Sequence, residues 1–300
     1  MQSQKSLRDE LRFITDFTVL CDVIQQVAVS QLQRVQERDG DSLVLTDLMV
    51  RQFFPLLPST AQGHPFTQGG HGDRLLLVMT SDAGLVGPLH ANVIRHALEQ
   101  ADQATHWILI GHRGLRLLGP RVGRPTQAVD KGAGRVRVMS LPSEEDVLRK
   151  MRQLTQAVLA QFLKERLRDI WLIAPSFLST ARQTVLIRQV LPLPIRAYRE
   201  ASNEQAIEPS LGRVTEELTA LWLESALVES FWSARCAEFA ARALHMESSR
   251  EELAKRRQRL HFEFFKTLHD RVDVMVRETC VAQRLAATKR VSGSLAGAES

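Results

Sequence analysis

The sequence predicts an α/β fold in which two long terminal helices pair as an antiparallel coiled coil and an α/β domain is inserted between them. Three observations carry that expectation. From Arg213 to Val291 there is neither Gly nor Pro, and Met1 to Asp39 lacks both as well; these two residues most often interrupt a helix. Between the two stretches, short apolar runs alternate with helical patterns, as in a mostly parallel sheet covered by helices. One helix of about 80 residues would span roughly 120 Å, far more than the core of a chain of 300 residues. Such a helix has to meet another long helix or a partner protein.

The composition, 44% hydrophobic and 24% charged, is that of a folded soluble chain. The longest unbroken apolar runs, such as Leu75 to Val78, fall far short of a membrane span, and no basic-then-apolar leader opens the sequence. A cytoplasmic location is therefore expected. The three cysteines, Cys21, Cys236 and Cys280, are odd in number, widely spaced and set in predicted helices. That pattern reads as buried small apolar residues rather than as a disulfide or metal set. The nine histidines show no HxxxH spacing and the cysteines no CxxC, which argues against a metal site and leaves no cofactor expected. A net charge of +5, with Arg well in excess of Lys, permits an anionic partner and identifies none.

In the first helix Leu7, Leu11, Ile14, Cys21, Ala28, Leu32 and Val35 recur at three-, four- and seven-residue spacing. Phe13, Phe17, Leu20, Ile24 and Val27 broaden the stripe beyond a two-stranded seam, so this face is expected to meet more than one neighbour. Gly40 is expected to interrupt the helix, the apolar spacing resumes from Leu43 to Phe54, and Pro55 and Pro58 end it. Thr60 to Gly72 is a turn-rich linker.

Arg74 to Met79, His106 to Gly111, Arg135 to Leu141, Asp169 to Ala174 and Val185 to Leu193 read as strands, with helices at His90 to Ala101, Glu144 to Arg166 and Leu178 to Arg182. This alternation is Rossmann-like. In the last helix Val214, Leu218, Leu221 and Val228 give one apolar row, Phe239, Met246, Leu253 and Leu260 continue a seven-residue repeat, and Leu268, Val272, Met275, Ala282 and Leu285 complete it. Glu247 to Arg259 is almost wholly polar and reads as a solvated helix face. The division that follows is 1–58 for the N-terminal coiled-coil helix, 59–72 for a linker, 73–206 for the α/β domain, 207–292 for the C-terminal coiled-coil helix and 293–300 for a flexible tail.

Chemistry-bearing motifs are few. Thr80 to Gly87, TSDAGLVG, follows a strand and precedes a helix, but it has neither GxGxxG spacing nor GK[ST]. It reads as a tight turn in which Asp82 satisfies backbone donors. Lys131 to Gly134 reads as a hairpin or surface loop, because no helical pattern follows it. Lys255, Arg256, Arg257 and Arg259 are interleaved with Glu247, Glu251 and Glu252, which offset the field that nucleic-acid phosphates would need, so no nucleic acid is expected. No catalytic set is evident. The alternative reading is an α/β nucleotide-binding enzyme domain with helical oligomerisation arms.

Several strings, in order along nearly the whole chain, resemble the gamma subunit of F-type ATP synthases. VAVSQL, Val27 to Leu32, is similar to the family's VAAAKL, and TSDAGLVGPLHAN, with Asp82, Gly84, Gly87 and Asn92, to its TSDRGLCGGLNTN. IGHRG, Ile110 to Gly114, resembles the family's G-x-K-G turn, and Asp169 to Ser179 resembles its strand-plus-loop ending in Asn-x-Phe. Glu208, Pro209 and Ser210 match EPS at the start of its last helix, and EFAARALHM, with Glu238, Arg242 and Met246, is similar to EHAARMVAM. The resemblance implies a non-catalytic central rotor inside a ring of alpha- and beta-type subunits. It implies further contacts with an epsilon-type subunit and a membrane c-ring, at the cytoplasmic face of a bacterial inner membrane.

The departures are specific. Where the family's first helix carries the lysines of NTQKITKAM, this chain has DFTVLCDVI, Asp16 to Ile24, with no base. In the family those lysines face acidic loops of the beta subunits. The family's Arg-Gln pair, which engages a beta-subunit loop, aligns with Arg277 and Glu278, so the Arg is kept and the Gln has become a carboxylate. VAQRLAATKRVSG, Val281 to Gly293, replaces the family's closing signature. These departures resemble those of a divergent rotor such as that of the N-type rotary ATPases.

Overall fold

A five-stranded sheet organises the middle of the chain, in the order β3-β2-β1-β4-β5. The strands are β1 (Arg74–Met79), β2 (Thr105–Ile110), β3 (Val136–Met139), β4 (Asp169–Phe177) and β5 (Gln183–Leu191), and the helices are α1 (Gln4–Leu48), α2 (Pro65–Gln68), α3 (Leu89–Gln100), α4 (His112–Val122), α5 (Val147–Glu165) and α6 (Leu211–Ala296). This computed structural model describes residues 4–48, 63–122, 136–193 and 210–296. The helix end expected at Pro55 and Pro58, the loop at Lys131 to Gly134, and Glu208 and Pro209 lie outside the described residues.

The sheet is parallel from β3 through β4, and β5 returns antiparallel beside β4. Alternation of side chains sorts the strands onto two faces. Leu75, Leu77, Met79, Ile108, Ile110, Ile170, Leu172 and Ala174 point into a core with α5 and α6, whereas Leu76, Val78, Leu109, Val136, Val138 and Ile173 pack with α3 and α4. The last helix is thus a layer of the α/β sandwich as well as a coiled-coil strand. From Trp222 to Ala241 nearly every residue of α6 is buried, because the sheet and α1 both cover it. The last helix, expected to pair with the first, is thus covered by the sheet as well.

The chain divides into two units, one of Met1–Val23 with Glu247–Ser300 and one of Ile24–Met246. Within the first, Leu7 and Ile14 pack on Leu260 with Leu253 and Phe264 alongside, Arg8 lies over Phe264, Asp22 pairs with Arg250, and Glu10 with Arg256. Low numbers meet high ones, so the helices run antiparallel there. Leu7, Ile14, Cys21, Ala28 and Val35 are each at most 2% exposed, a strict seven-residue seam along α1. The outer stripe is uncovered: Phe13 is 64% exposed, and Phe17, Val19, Leu20, Val23 and Val27 are also exposed. For the same reason, Lys5–Arg38 is apolar enough by length and composition to cross a membrane, which a search for unbroken apolar runs misses.

Other expectations change. Gly40 does not break α1, which continues to Leu48. Leu178 to Arg182 is a hairpin turn rather than a helix, closed by Arg182 N–H to Ser179 O and Leu178 N–H to Arg182 O. The α4 helix, which sequence reasoning did not find, forms although Gly114, Gly119 and Pro120 disfavour it. Leu221 is 52% exposed, and its neighbours Trp222 and Leu223 take the inward positions. Cys21 and Cys236 are buried, but Cys280 is exposed. The last helix runs through Gly293 to Ala296. From His261 to Arg284 no described side chain of α6 is buried, and Leu7 and Arg8 of α1 already stand level with Leu260 and Phe264.

Candidate functional site

The turn after β1 joins three elements. Its Asp82 carboxylate accepts from the His112 amide at 2.6 Å and from the Leu141 amide at 3.0 Å. Ser81 O accepts from the Arg113 amide and Thr80 Oγ1 from the Gly114 amide. The first turn of α4 therefore has its orphan amides capped from another loop, with a negative charge at the positive end of the helix. Capping in this way offsets the poor propensity of α4. A carboxylate already sits where a phosphate would meet those amides. Gly111 accompanies this close approach: its φ is +98° and a Cβ there would lie 2.7 Å from the Thr80 carbonyl carbon.

The other side of the turn is fastened to α6. Arg242 Nε donates to Gly84 O at 3.3 Å, while its Nη2 donates to Glu238 at 2.6 Å. Arg235 donates to the other Glu238 oxygen at 2.8 Å. The Glu238 side chain is only 3% exposed, so its charge is viable because two guanidinium groups hold both oxygens. Both cations also lie over the Phe239 ring, at 4.4 Å for Arg235 and 5.6 Å for Arg242. Val86 and Leu89 pack on Ala237 and Ala241, and Gly87 lies 3.9 Å from the His245 ring, measured from the place of its missing Cβ.

His90 stands at the start of α3 inside this joint, with Nε2 2.9 Å from Ser81 Oγ and Nδ1 without a partner in the described structure. Burial pushes its pKa down, and the Glu238 carboxylate pulls it partly back.

Three more polar ties fix α6 to the sheet. The Trp222 indole N–H donates to Val190 O at 3.1 Å, Arg188 grips Glu229 with two bonds at 3.0 and 3.1 Å, and the Phe177 amide donates to Ser233 Oγ at 3.1 Å. With Arg242 to Gly84, the helix is held at four levels between Trp222 and Arg242. Each tie lies in or beside an apolar core, where a lost partner costs more than at the surface.

Of the residues singled out in the sequence, Asp82, Gly84, Gly87, Glu238 and Arg242 come together at this joint. Met246 is buried a turn beyond it. Asn92 does not join it: among the described residues its side chain accepts from Arg95, at a long 3.5 Å. Arg277 and Glu278 lie in the other unit, both exposed. Sequence reasoning missed Arg188, Glu229, Ser233, Trp222 and Arg235. The i,i+3 and i,i+4 spacing of Arg235, Glu238 and Arg242 was the only available signal, and it resembles an ordinary solvated charge pattern.

A long helix gripped by an α/β sheet over one stretch and with no buried side chain described over another has the form of a shaft carried by a scaffold. A family model described as ATP synthase matches residues 3–267, and the chain belongs to that family. Within it, curated relatives are ATP synthase gamma chains. That of Psychrobacter arcticus is 24% identical over 267 residues, covering 83% of this chain and 87% of its own length. That of Akkermansia muciniphila is 22% identical over 265 residues, covering 84% and 88%. Among solved structures, a chain of the Euglena gracilis mitochondrial ATP synthase superposes with a TM-score of 0.67 at 14% identity, covering 96% of this chain and 95% of its own. A chain of the Tetrahymena thermophila central stalk and c-ring gives 0.57 at 18% identity, covering 77% and 99%. The chain is accordingly a gamma-type central-stalk subunit, not a catalytic one.

Proposed function

We propose that this chain is the rotating shaft of a divergent bacterial F-type ATP synthase or ATPase, coupling ion flow through a membrane c-ring to ATP synthesis or hydrolysis in a head of alpha- and beta-type subunits. It sits peripherally at the cytoplasmic face of the inner membrane. Residues 73–206 form the foot, which rests on the c-ring with an epsilon-type subunit. Residues 1–58 and 207–292 form the shaft, and 59–72 link the first helix to the foot.

The observation that carries this reading is the four-level fastening of α6 to the sheet between Trp222 and Arg242. A shaft transmits torque only if its foot cannot slip around it. Ties spaced along the helix and set in apolar surroundings resist both rotation and sliding. The head then changes state by population shift, because an asymmetric shaft contacts one conformer of each ring subunit better than the others.

The test is co-expression with alpha- and beta-type subunits of the same organism. Co-purification of a head with three copies of each, plus this chain, is expected; a chain that stays alone overturns the reading. Within the complex, Arg277→Ala should slow coupled ATP turnover and leave nucleotide affinity of the isolated beta-type subunit unchanged. Unaltered turnover removes Arg277 from the contact.

A further inference from the structure

The four ties that hold α6 are not chemically alike. Trp222 to Val190 O, Arg188 to Glu229 and the Phe177 amide to Ser233 contain no histidine. The last along α6, Arg242 to Gly84 O, belongs to a turn whose Ser81 hydroxyl meets the His90 ring. That ring is 6% exposed, and its surroundings place its proton. The Ser81 hydroxyl donates to Ala83 O at 3.0 Å, so it meets His90 Nε2, 2.9 Å away, as an acceptor. The neutral ring therefore carries its proton on Nε2 and a lone pair on Nδ1. Nδ1 is buried without a hydrogen-bond partner among the described residues. A second proton would make it a charged donor with nothing placed to accept it.

Charge faces the ring from two helices, Glu238 and Arg242 from α6 and Arg113 from α4. Glu238 has one oxygen held by Arg235 and the other by Arg242. Asp82, the carboxylate of the turn itself, holds the His112 and Leu141 amides. The His245 ring lies beside Gly87. Both carboxylates are thus already engaged, and taking a proton from Nδ1 would weaken the bonds that close the joint.

We infer that His90 is an acid-sensitive latch on this tie: proton uptake at Nδ1 loosens the turn after β1 from α6, while the other three ties hold. The closed turn keeps the ring neutral and dry, whereas in the opened turn water solvates the imidazolium. Burial lowers the pKa of the closed ring, the Glu238 carboxylate and the Ala83 carbonyl oppose that in part, and Arg113 and Arg242 add to it. The opened form therefore takes up the proton first as pH falls. The latch is tightest above the ordinary imidazole value of about 6.5 and weakens below it, by up to about tenfold per pH unit, until the pKa of the closed ring is passed. Gly84 O and the contacts of Val86 and Leu89 on Ala237 and Ala241 leave with the turn. In a rotor, slip at this level wastes torque, so acid lowers the number of ions moved per ATP split. That consequence rests on the rotor reading; the latch itself does not.

Hydrogen exchange of the full, unassembled chain tests the latch. The Asn92, His112 and Leu141 amides report on the turn, because they donate to Pro88 O and to the Asp82 carboxylate. Their protection, corrected for the intrinsic exchange rate, should fall about 3-fold or more between about pH 7.5 and about pH 5.5. The Phe177 amide, on a tie without histidine, should keep its protection. In His90→Gln, whose amide still donates to Ser81 but takes up no proton, all of these should stay within about 1.5-fold. His90→Asn takes its place if that variant does not fold. A flat response in the unsubstituted chain, the same fall in the variant, or an equal fall at Phe177 overturns the latch. In membrane vesicles carrying the whole complex, the ions moved per ATP split should drop over the same pH span, and drop less with His90→Gln. An equal drop in both overturns the latch as a control on coupling. If the amides respond as expected and the chain does not assemble with a ring, the rotor reading falls and the latch stands.

Discussion

Two stretches of one helix, Trp222 to Met246 and His261 to Arg284, have opposite relations to the rest of the chain. The first is buried on nearly every side as far as Ala241, tied at four levels to the sheet and the turn after β1, and built around a carboxylate clamped by two arginines. The second buries nothing among its described side chains and displays Phe262, Phe265, Val272, Met275 and Val281. Both are rich in apolar residues. What separates them is whether this chain supplies the surface that covers those residues, so apolar content alone does not say where a core is.

The contrast is broken most directly by truncating one Phe in each stretch. Phe239→Ala, at 2% exposure, should cost about 3–5 kcal/mol of unfolding free energy, and Phe262→Ala, at 74%, less than about 0.5 kcal/mol. Denaturant titration of the isolated chain measures both, and equal costs would erase the distinction. A somewhat smaller effect is expected from Glu238→Ala, about 3 kcal/mol, because Arg235 and Arg242 lose their shared partner but keep some access to water. Glu238→Gln should cost less, since an amide still accepts from one guanidinium; if Gln costs as much as Ala, the charge rather than the hydrogen bonds holds the joint.

The smallest effect concerns His90. Burial lowers its pKa in the folded state, so the unfolded chain binds the proton first as pH falls. Stability should therefore decline below about pH 6.5, until the folded-state pKa is passed. His90→Gln removes this contribution. An unchanged slope in that variant would assign the pH dependence elsewhere.

Much of the scaffold was legible in the sequence. The α1 seam declares itself because one side chain every seventh position faces one partner, and β1 was bounded from the sequence because its run is buried on both faces of a parallel sheet. Local signals failed where the decisive contact is distant. The α4 helix was hidden because its stabilising cap comes from Thr80, Ser81 and Asp82, some 30 residues earlier. The joint was half visible: Asp82 was read as a backbone acceptor, but the bond from Arg242 to Gly84 spans 158 residues and has no spacing to betray it. Leu221 was misplaced because a helix covered on several sides loses the single-stripe period on which such assignments depend.

The seam on α1 has a mechanical consequence. Leu7, Ile14, Cys21, Ala28 and Val35 repeat every seven residues, whereas two turns of a straight α-helix take about 7.2, so the stripe drifts by roughly 20° per repeat and its helix must wind left-handed to keep the stripe on its partner. A pair wound in one hand is not a symmetrical spring. Turned in the sense of its winding such a pair tightens, and turned the other way it slackens, so five small and medium apolar side chains make its response to twist unequal in the two senses.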